Sequence, residues 1–394
     1  MVARNPNFAK LPAGYLFPEI NRRKKALLEK RPDARIISLG IGNTTEPLTP
    51  AVAGGLVQAA ERLGTAEGYS GYGDEQGLPE LRTRIAETLY QGLVSPEEIT
   101  ISDGSKCDIG RLQFMFGKVS VAVQDPSYPV YVDGSFIVGA DTDLQRLICA
   151  PGNAFFPDLA RARRADLIYF CSPNNPTGAV ADREQLAALV EFARRHQSII
   201  VFDAAYSEYI TDEKLPRSIY EIPGAEETAI EVNSFSKSVG FTGVRLGWCV
   251  VPRKLKFADG TPVWQDWTRV ITTLFNGASN IAQRGGLAAL TEAGRRETRK
   301  LIAYYQENAR IILEGLRNSG IQTFGGVNAP YIWAHFPGQK SWDVFTKILN
   351  EACVVTTPGA GFGAAGEGFL RLSAFGQRAD VREAMRRLRP VLAG

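Results

Sequence analysis

An α/β fold built on a mainly parallel sheet and joined to a smaller α+β domain is the architecture this chain predicts, and three observations predict it. Between about residues 98 and 252 short apolar runs recur, each followed by a turn and then a helical pattern, the rhythm of βα units whose strands lie parallel. Five of those runs end on polar residues, and in open α/β sheets ligand groups gather at the carboxyl ends of the strands. From about Gly286 the rhythm stops, and a long charged helical stretch leads into shorter strands. At 394 residues the chain also exceeds the size at which one core stops growing, so two domains are expected.

The runs are EITIS, SVAVQD, DLIYFCS, SIIVFDAA, TAIEVNS and LGWCVV. Between two of them lies a helix over Arg183 to His196, with Leu186, Leu189, Val190 and Ala193 recurring on one face. The strand ends carry Asp103-Gly104-Ser105-Lys106, Asp125-Pro126-Ser127-Tyr128, Ser172-Pro173-Asn174-Asn175-Pro176, Asp203-Ala204-Ala205-Tyr206 and Ser234-Phe235-Ser236-Lys237. After TEAGRRETRKLIAYYQENARIILEGLRNSG, read as one helix, the strands YIWAHF, CVVTTPG and FLRLSAF complete the second domain. The first 48 residues, rich in Pro and Gly, lack a βα rhythm and are expected to pack on the smaller domain or reach a partner subunit. The expected division is 1–48 as an N-terminal arm and part of the small domain, 49–285 as the large domain, and 286–394 as the small C-terminal domain.

Composition narrows the function classes. The 45 basic and 42 acidic residues nearly cancel to +3, and no basic block stands out beyond Arg22 to Lys25 and Arg161 to Arg164, which read as solvated faces, so no nucleic-acid partner is expected. Five widely spaced cysteines without a C-x-x-C pair argue for reduced thiols. Two histidines, His196 and His335, argue against a His-based metal site. No run of 18 apolar residues and no signal-like apolar stretch at the start argue against a membrane. A soluble cytoplasmic enzyme is the expectation.

Its chemistry is carried by SFSKSVGFTGVRLG, Ser234 to Gly247, which sets the amine of Lys237 beside Ser234, Ser236, two glycines and Arg245. Amines condense with aldehydes, and hydroxyls, glycines and an Arg hold a phosphate, so the segment suggests an aldehyde that carries a phosphate, pyridoxal 5′-phosphate. That cofactor needs a lysine, for which Lys237 fits best and Lys106 competes. It also needs a carboxylate at the pyridine nitrogen. Asp203 is placed for this at the end of SIIVF, although an Asp after a strand also serves as a turn or helix cap. Tyr206 and Asn175 are candidate donors to the cofactor's phenolic oxygen. The phosphate is expected at Ser105 and Lys106, which open a helix, together with Ser234, Ser236 and Arg245. Tyr128 is the aromatic expected against the ring, and Arg371 the guanidinium expected at a substrate's α-carboxylate, unless it is an edge-strand charge.

With these residues in view, Ser234 to Gly247, SPNNPTG (Ser172 to Gly178) and the Asp203/Tyr206 pair resemble the landmarks of class I/II aminotransferases of fold type I. That resemblance implies a large domain with a mainly parallel seven-stranded sheet, a small domain, and a homodimer whose active sites are shared. Further strings, among them GYLFPEI, GYSGYGDEQGLPELR, QDPSYPVYVD, TLFNGASN and GGVNAPYIW, resemble the LL-diaminopimelate aminotransferase family along nearly the whole chain. The resemblance implies amino transfer from L-glutamate to tetrahydrodipicolinate, giving LL-2,6-diaminopimelate and 2-oxoglutarate, in lysine and peptidoglycan synthesis. It implies catalysis by Lys237, Asp203 and Tyr206, and cofactor contacts from Tyr72 of a partner subunit and from Ser105, Lys106, Tyr128, Asn175, Ser234, Ser236, Arg245 and Asn276. Tyr15, Gly42, Lys106, Tyr128, Asn175, Asn276 and Arg371 are implied at the substrate; Glu75 is the residue expected at the distal ammonium, with Asp74 beside it as the alternative and a solvated loop carboxylate as the plainer reading. The alternatives are an aminotransferase for aspartate or aromatic amino acids, and a pyridoxal-phosphate lyase on the same fold.

Overall fold

Strand register decides what lies at the site, so the sheets come first. The computed structural model describes residues 1–11, 16–140 and 143–392. In chain order the strands are β1 (Ile37–Ser38), β2 (Ile99–Ser102), β3 (Val121–Asp125), β4 (Leu144–Ile148), β5 (Leu167–Cys171), β6 (Ile199–Asp203), β7 (Ala229–Ser234) and β8 (Gly247–Val250). They continue with β9 (Gln322–Gly325), β10 (Tyr331–His335), β11 (Val354–Val355), β12 (Thr357–Pro358) and β13 (Phe369–Ser373).

The seven-stranded sheet runs β2-β8-β7-β6-β5-β3-β4. Its pairs are parallel except those made by β8, which runs against β2 and β7. The carboxyl ends of β2, β3, β5, β6 and β7 therefore share one edge. Along that edge Cys171 lies opposite Asp203, and Asp203 opposite Val232, while Ser102 and Ser234 flank Gly247 from either side.

Both faces of this sheet are covered, which explains the near-continuous apolar runs. Alternation within each run sends residues to opposite layers: Ile168, Phe170, Ile200 and Phe202 join one core, while Leu167, Tyr169, Ile199, Val201, Ile230 and Val232 join the other. The first core is closed by the helices Pro79–Thr88, Arg183–His196 and Asn280–Leu290. The second is closed by Ser105–Phe116, Val130–Ile137 and Val263–Leu274. The helix Arg183–His196 begins where its sequence signals place it, because the Asp182 carboxylate accepts from Gln185 N at 2.8 Å and Gln185 answers at Asp182 N.

A four-stranded sheet, β12-β13-β10-β9, and a two-stranded parallel pair, β1-β11, complete the described strands. The 26-residue helix Glu292–Arg317 lies against the four-stranded sheet and shares a third core with it. Residues near the start of the chain enter that core: Leu16, Ile20, Leu27, Ile37 and Leu39 pack with Leu313, Trp333, Ile348 and Leu372.

Three local expectations differ from what is observed. LQRLI, which forms β4, was not among the runs expected as strands; it sits at the sheet edge with only Leu147 buried, so its Gln145 and Arg146 blur the apolar pattern. CVVTTPG is not one strand: Val354–Val355 pair with Ile37–Ser38, and Thr357–Pro358 pair with Leu370 and Arg371. Arg371 is not an edge charge either, since β13 lies between β12 and β10 and the side chain is 2% exposed. Among the described residues no helix is long and apolar enough to cross a membrane.

Ile230 is fully buried on β7, four residues before the polar strand end. Ile230→Ala should lower unfolding stability by about 2–5 kcal/mol through the cavity it leaves, measured as a downward shift in a denaturant midpoint; an unchanged midpoint would show that β7 does not anchor the sheet.

Candidate active site

The five strand ends close around one cavity. Its lining includes Gly42, Ser105, Lys106, Tyr128, Asn175, Asp203, Tyr206, Ser234, Ser236, Lys237, Arg245 and Arg371, which brings together twelve of the residues singled out from sequence.

Lys237 follows β7 within the short helix Phe235–Ser238, whose start is capped by Ser234 accepting from Ser236 N at 3.0 Å. Its Nζ donates to the Gly42 carbonyl and sits 5.7 Å from the centre of the Phe375 ring. Burial, followed by the positive charges of Arg371 and Arg245, pulls its ammonium down to about 8. An amine with that value keeps a usable free fraction near neutrality, as a nucleophile or base requires.

Asp203 ends β6 with 5% of its surface exposed. One carboxylate oxygen accepts from Tyr131 Oη at 2.7 Å and the other from Ala205 N at 3.1 Å. The second contact is the local turn bond an Asp after a strand commonly makes. Burial pushes the carboxyl upward and those two donors oppose it. No cation faces it among the described residues, so a protonated ring nitrogen in the cavity would supply the charge it lacks.

A cluster of donors stands at the other end of the lining. Gly104, not Ser105, is the N-cap of the helix Ser105–Phe116, with φ 123°, a conformation glycine adopts without strain. A Cβ there would lie 2.4 Å from Arg245 Nη2, so the glycine also lets the guanidinium close on the helix start. Arg245 itself has φ 68°, the left-handed region that costs a non-glycine residue about 1–3 kcal/mol. Its Nη1 reaches Ser236 Oγ at 3.3 Å, and Ser236 Oγ accepts from Ser234 Oγ at 2.8 Å.

Arg371 rises from β13 between two aromatic faces, 4.4 Å from the centre of Tyr331 and 4.9 Å from that of Phe362. Its Nη1 donates to Asn175 Oδ1 and its Nη2 to the Gly40 carbonyl, both at 2.6 Å, while Nε has no hydrogen-bond partner among the described residues. The bond to Oδ1 leaves the Asn175 amide NH2 free to donate. Tyr206 Oη lies 2.9 Å from Tyr331 Oη, and burial holds the Tyr206 phenol well above its ordinary value, so it stays protonated and available as a donor. Tyr128 lines the same cavity, with Lys106 Nζ 5.6 Å from its ring centre.

Among the described residues no carboxylate pairs with Lys106, Lys237, Arg245 or Arg371. The Asp203 carboxylate lines the same cavity without a cation against it. A dianionic phosphate, an aldehyde, a protonated pyridine and a free carboxylate match this donor set group for group, so the residues present fit pyridoxal phosphate and an amino acid.

Tyr72, Glu75 and Asn276 do not enter this cavity from their own chain. All three are exposed, Tyr72 at 90%. The loops that carry them meet, since a Cβ on Gly277 would lie 3.0 Å from Asp74 O and Asn280 Nδ2 donates to Ser70 Oγ at 2.9 Å. Tyr15 lies outside the described residues. Conversely, Tyr131, Cys171, Thr242 and Tyr331 line the cavity and had not been singled out. Tyr131 closes the same PSYPVY string as Tyr128, but in the sequence it reads as an apolar helix position, and nothing there pairs it with Asp203.

The family model for aminotransferase class I and II matches residues 34–388. The chain is 56% identical to the chloroplastic LL-diaminopimelate aminotransferase of Arabidopsis thaliana over 98% of its own length and 87% of that protein's. It is 52% identical to the LL-diaminopimelate aminotransferase of Protochlamydia amoebophila over 100% and 98% of the two lengths. The solved structure of L,L-diaminopimelate aminotransferase from Chlamydomonas reinhardtii superposes with a TM-score of 0.96 at 57% identity, covering 99% of this chain and 98% of that one. With a seven-stranded, mainly parallel sheet and a lysine, carboxylate and arginine set at one strand edge, the chain belongs to the class I and II aminotransferases, enzymes that depend on pyridoxal phosphate.

Proposed function

We propose that this aminotransferase interconverts tetrahydrodipicolinate and L-glutamate with LL-2,6-diaminopimelate and 2-oxoglutarate, a step of lysine and peptidoglycan synthesis. The observation that carries this reading is identity of 52–57% over nearly the full length to proteins named for LL-diaminopimelate. A specific site must recognise both amino-acid ends of that substrate, because unpaired polar groups at a distal pocket penalise shorter amino acids.

Bound pyridoxal phosphate supplies an aldehyde that takes up amines and a ring that accepts the electron pair released when a substrate's α-proton leaves. The chain's own residues do the rest. Lys237 holds the cofactor through Nζ, yields that place to the incoming amine, and then moves the α-proton as the base. Asp203 neutralises the pyridine nitrogen's proton, and Tyr131 and Ala205 keep its carboxylate in place. Tyr206 and the free amide of Asn175 donate to the phenolic oxygen. Ser105, Lys106, Ser234, Ser236 and Arg245 would hold the phosphate, and Tyr128 would lie against the ring. Arg371 exchanges its neutral partners for the α-carboxylate. Glutamate's oxo acid leaves before the second substrate enters, so kinetics are ping-pong.

A homodimer completes the site in this reading. Tyr72 reaches the phosphate of the partner's cavity, Asn276 the cofactor and substrate there, and Glu75 the distal ammonium, with Tyr15 and Gly42 also at the substrate. Two observations support it: the exposure of the loop pair that carries Tyr72, Glu75 and Asn276, and the exposed aromatic side chain of Tyr69 near it. We also keep the division into 1–48, 49–285 and 286–394; the third core, which joins Leu16 and Ile37 to Leu313 and Trp333, supports grouping the first segment with the last. Five cysteines, all free, suit a reducing compartment, and we place the enzyme in the cytoplasm.

Lys237→Ala should abolish both turnover and the absorbance of covalently held cofactor; either surviving would sink the assignment. Amino transfer should be far faster from LL-diaminopimelate than from aspartate or phenylalanine, and comparable rates would favour a general aminotransferase. Release of ammonia or pyruvate would instead favour a lyase. Arg371→Ala removes two charge-assisted hydrogen bonds, so kcat/KM should fall about 10²–10⁴-fold, chiefly through KM.

Mixing Lys237→Ala with Tyr72→Ala protomers should restore activity, since one of the two shared sites is then intact; no recovery after reassortment would place Tyr72 outside the partner's site. For the cofactor-free protein, the depressed Lys237 value sets a pH window. The ammonium below about 8 has no lone pair, and the neutral amine above it does. The rate of covalent pyridoxal phosphate capture should therefore rise with pH and level off above about 8, and a rate still climbing steeply toward pH 10 would show an unperturbed lysine.

A further inference from the structure

Tyr331 opens β10 and is 1% exposed, yet it lines the cavity. Three of the site's groups converge on it. Its hydroxyl lies 2.9 Å from Tyr206 Oη, with the two rings edge to face at 5.2 Å. Its face carries the Arg371 guanidinium at 4.4 Å. Its hydroxyl also crowds Gly42, where a Cβ would lie 2.2 Å from Tyr331 Oη. A glycine at 42 is therefore required for Tyr331 to occupy its place.

Two phenols in contact share one hydrogen bond, and its direction matters. Among the described residues the Tyr331 hydroxyl has no acceptor besides the Tyr206 oxygen. If Tyr331 donates, Tyr206 keeps its own O–H free to point into the cavity. A donor that itself accepts a hydrogen bond is polarised and becomes a stronger donor.

We infer that Tyr331 is a positioning residue that orients and strengthens the Tyr206 hydroxyl as a donor to the cofactor's phenolic oxygen, while its ring supports Arg371. The inference rests on the pyridoxal phosphate reading of the cavity and adds a residue to it. Tyr331 acts through Tyr206 and touches the cofactor's oxygen only by that route. Because donors to the phenolic oxygen favour its ionised form, loss of the Tyr331 hydroxyl raises the pH at which the covalently held cofactor changes colour.

The test is a spectrophotometric pH titration of the cofactor-loaded wild type, Tyr331→Phe, Tyr206→Phe and the double variant, each checked for folding by circular dichroism. Tyr331→Phe should raise the spectral midpoint by roughly 0.5 pH unit, the size of one neutral hydrogen bond. Tyr206→Phe should raise it further, and the double variant should match Tyr206→Phe alone, because the second hydroxyl then has nothing to act through. Gly42→Ala, which pushes on the same hydroxyl, should move the midpoint in the same direction. Tyr331→Phe keeps the ring under Arg371, so KM for glutamate should change less than about twofold, whereas Tyr331→Leu should raise it. An unmoved midpoint in Tyr331→Phe, or additive shifts in the double variant, overturns the inference with the function intact. A wild type with no pH-dependent cofactor band overturns the functional reading, and the inference with it.

Discussion

Lys237, Arg245 and Arg371 surround one cavity, among the described residues without a carboxylate to pair with any of them, and much of the structure follows from that imbalance. Taking cations out of water costs several kcal/mol each unless something replaces the lost solvation. Here the replacements are neutral: carbonyl oxygens of Gly40 and Gly42, the amide oxygen of Asn175, serine hydroxyls and aromatic faces. Neutral acceptors keep the side chains ordered without cancelling their charge. The field they leave falls on Lys237, whose ammonium is depressed first by burial and then by the charges of Arg371 and Arg245.

Holding that arrangement requires two structural units to agree. Asp203 and Lys237 hang from the ends of β6 and β7, while Arg371 and Tyr331 hang from β13 and β10. Two connections fix one set against the other. The segment after β1 donates and accepts in sequence: Ser373 N binds the Leu39 carbonyl, Thr357 Oγ1 and Arg371 share the Gly40 carbonyl, and Tyr305 Oη accepts from both Thr45 N and Glu46 N. The loop after β3 is tied down by Ser127 N on the Phe362 carbonyl and by the Asp125 carboxylate accepting from Ala365 N. Tyr128 follows directly on that tie. An aromatic cluster of Tyr206, Tyr209, Tyr305, Tyr331 and Phe375 fills the seam between the units.

What was legible from sequence is what a short segment can express alone. The strand ends, the SFSK turn and the helix over Arg183–His196 each carry their signal within a dozen residues, through periodicity, capping or turn chemistry. β4 was hidden because an edge strand with one buried residue resembles a loop. The two-residue strands β11 and β12 exist only by pairing with Ile37–Ser38 and with β13, which no local pattern encodes. Tyr131 and Tyr331 were missed for the same reason. Each reads as a core aromatic, and only the fold brings the first to Asp203 and the second to Tyr206. Tyr72 and Glu75 mark the opposite case, where a motif named residues that a single chain leaves in solvent.

The choice of neutral partners for Arg371 bears on how a substrate is admitted. A carboxylate from the protein at the Gly40 or Asn175 position would have formed a buried ion pair, and breaking such a pair is costly. A backbone carbonyl and an amide oxygen hold the guanidinium in place but attract it less strongly than a carboxylate, which carries a full opposite charge. In the proposed function an incoming α-carboxylate would therefore gain by displacing them, while the guanidinium keeps its stacking on the Tyr331 ring. Asn175 meets the guanidinium through its oxygen alone, so in the proposed function its NH2 would stay available to the cofactor's oxygen. The clamp is ordered before substrate arrives and still open to exchange, a balance set by the charge of its partners rather than by their distance.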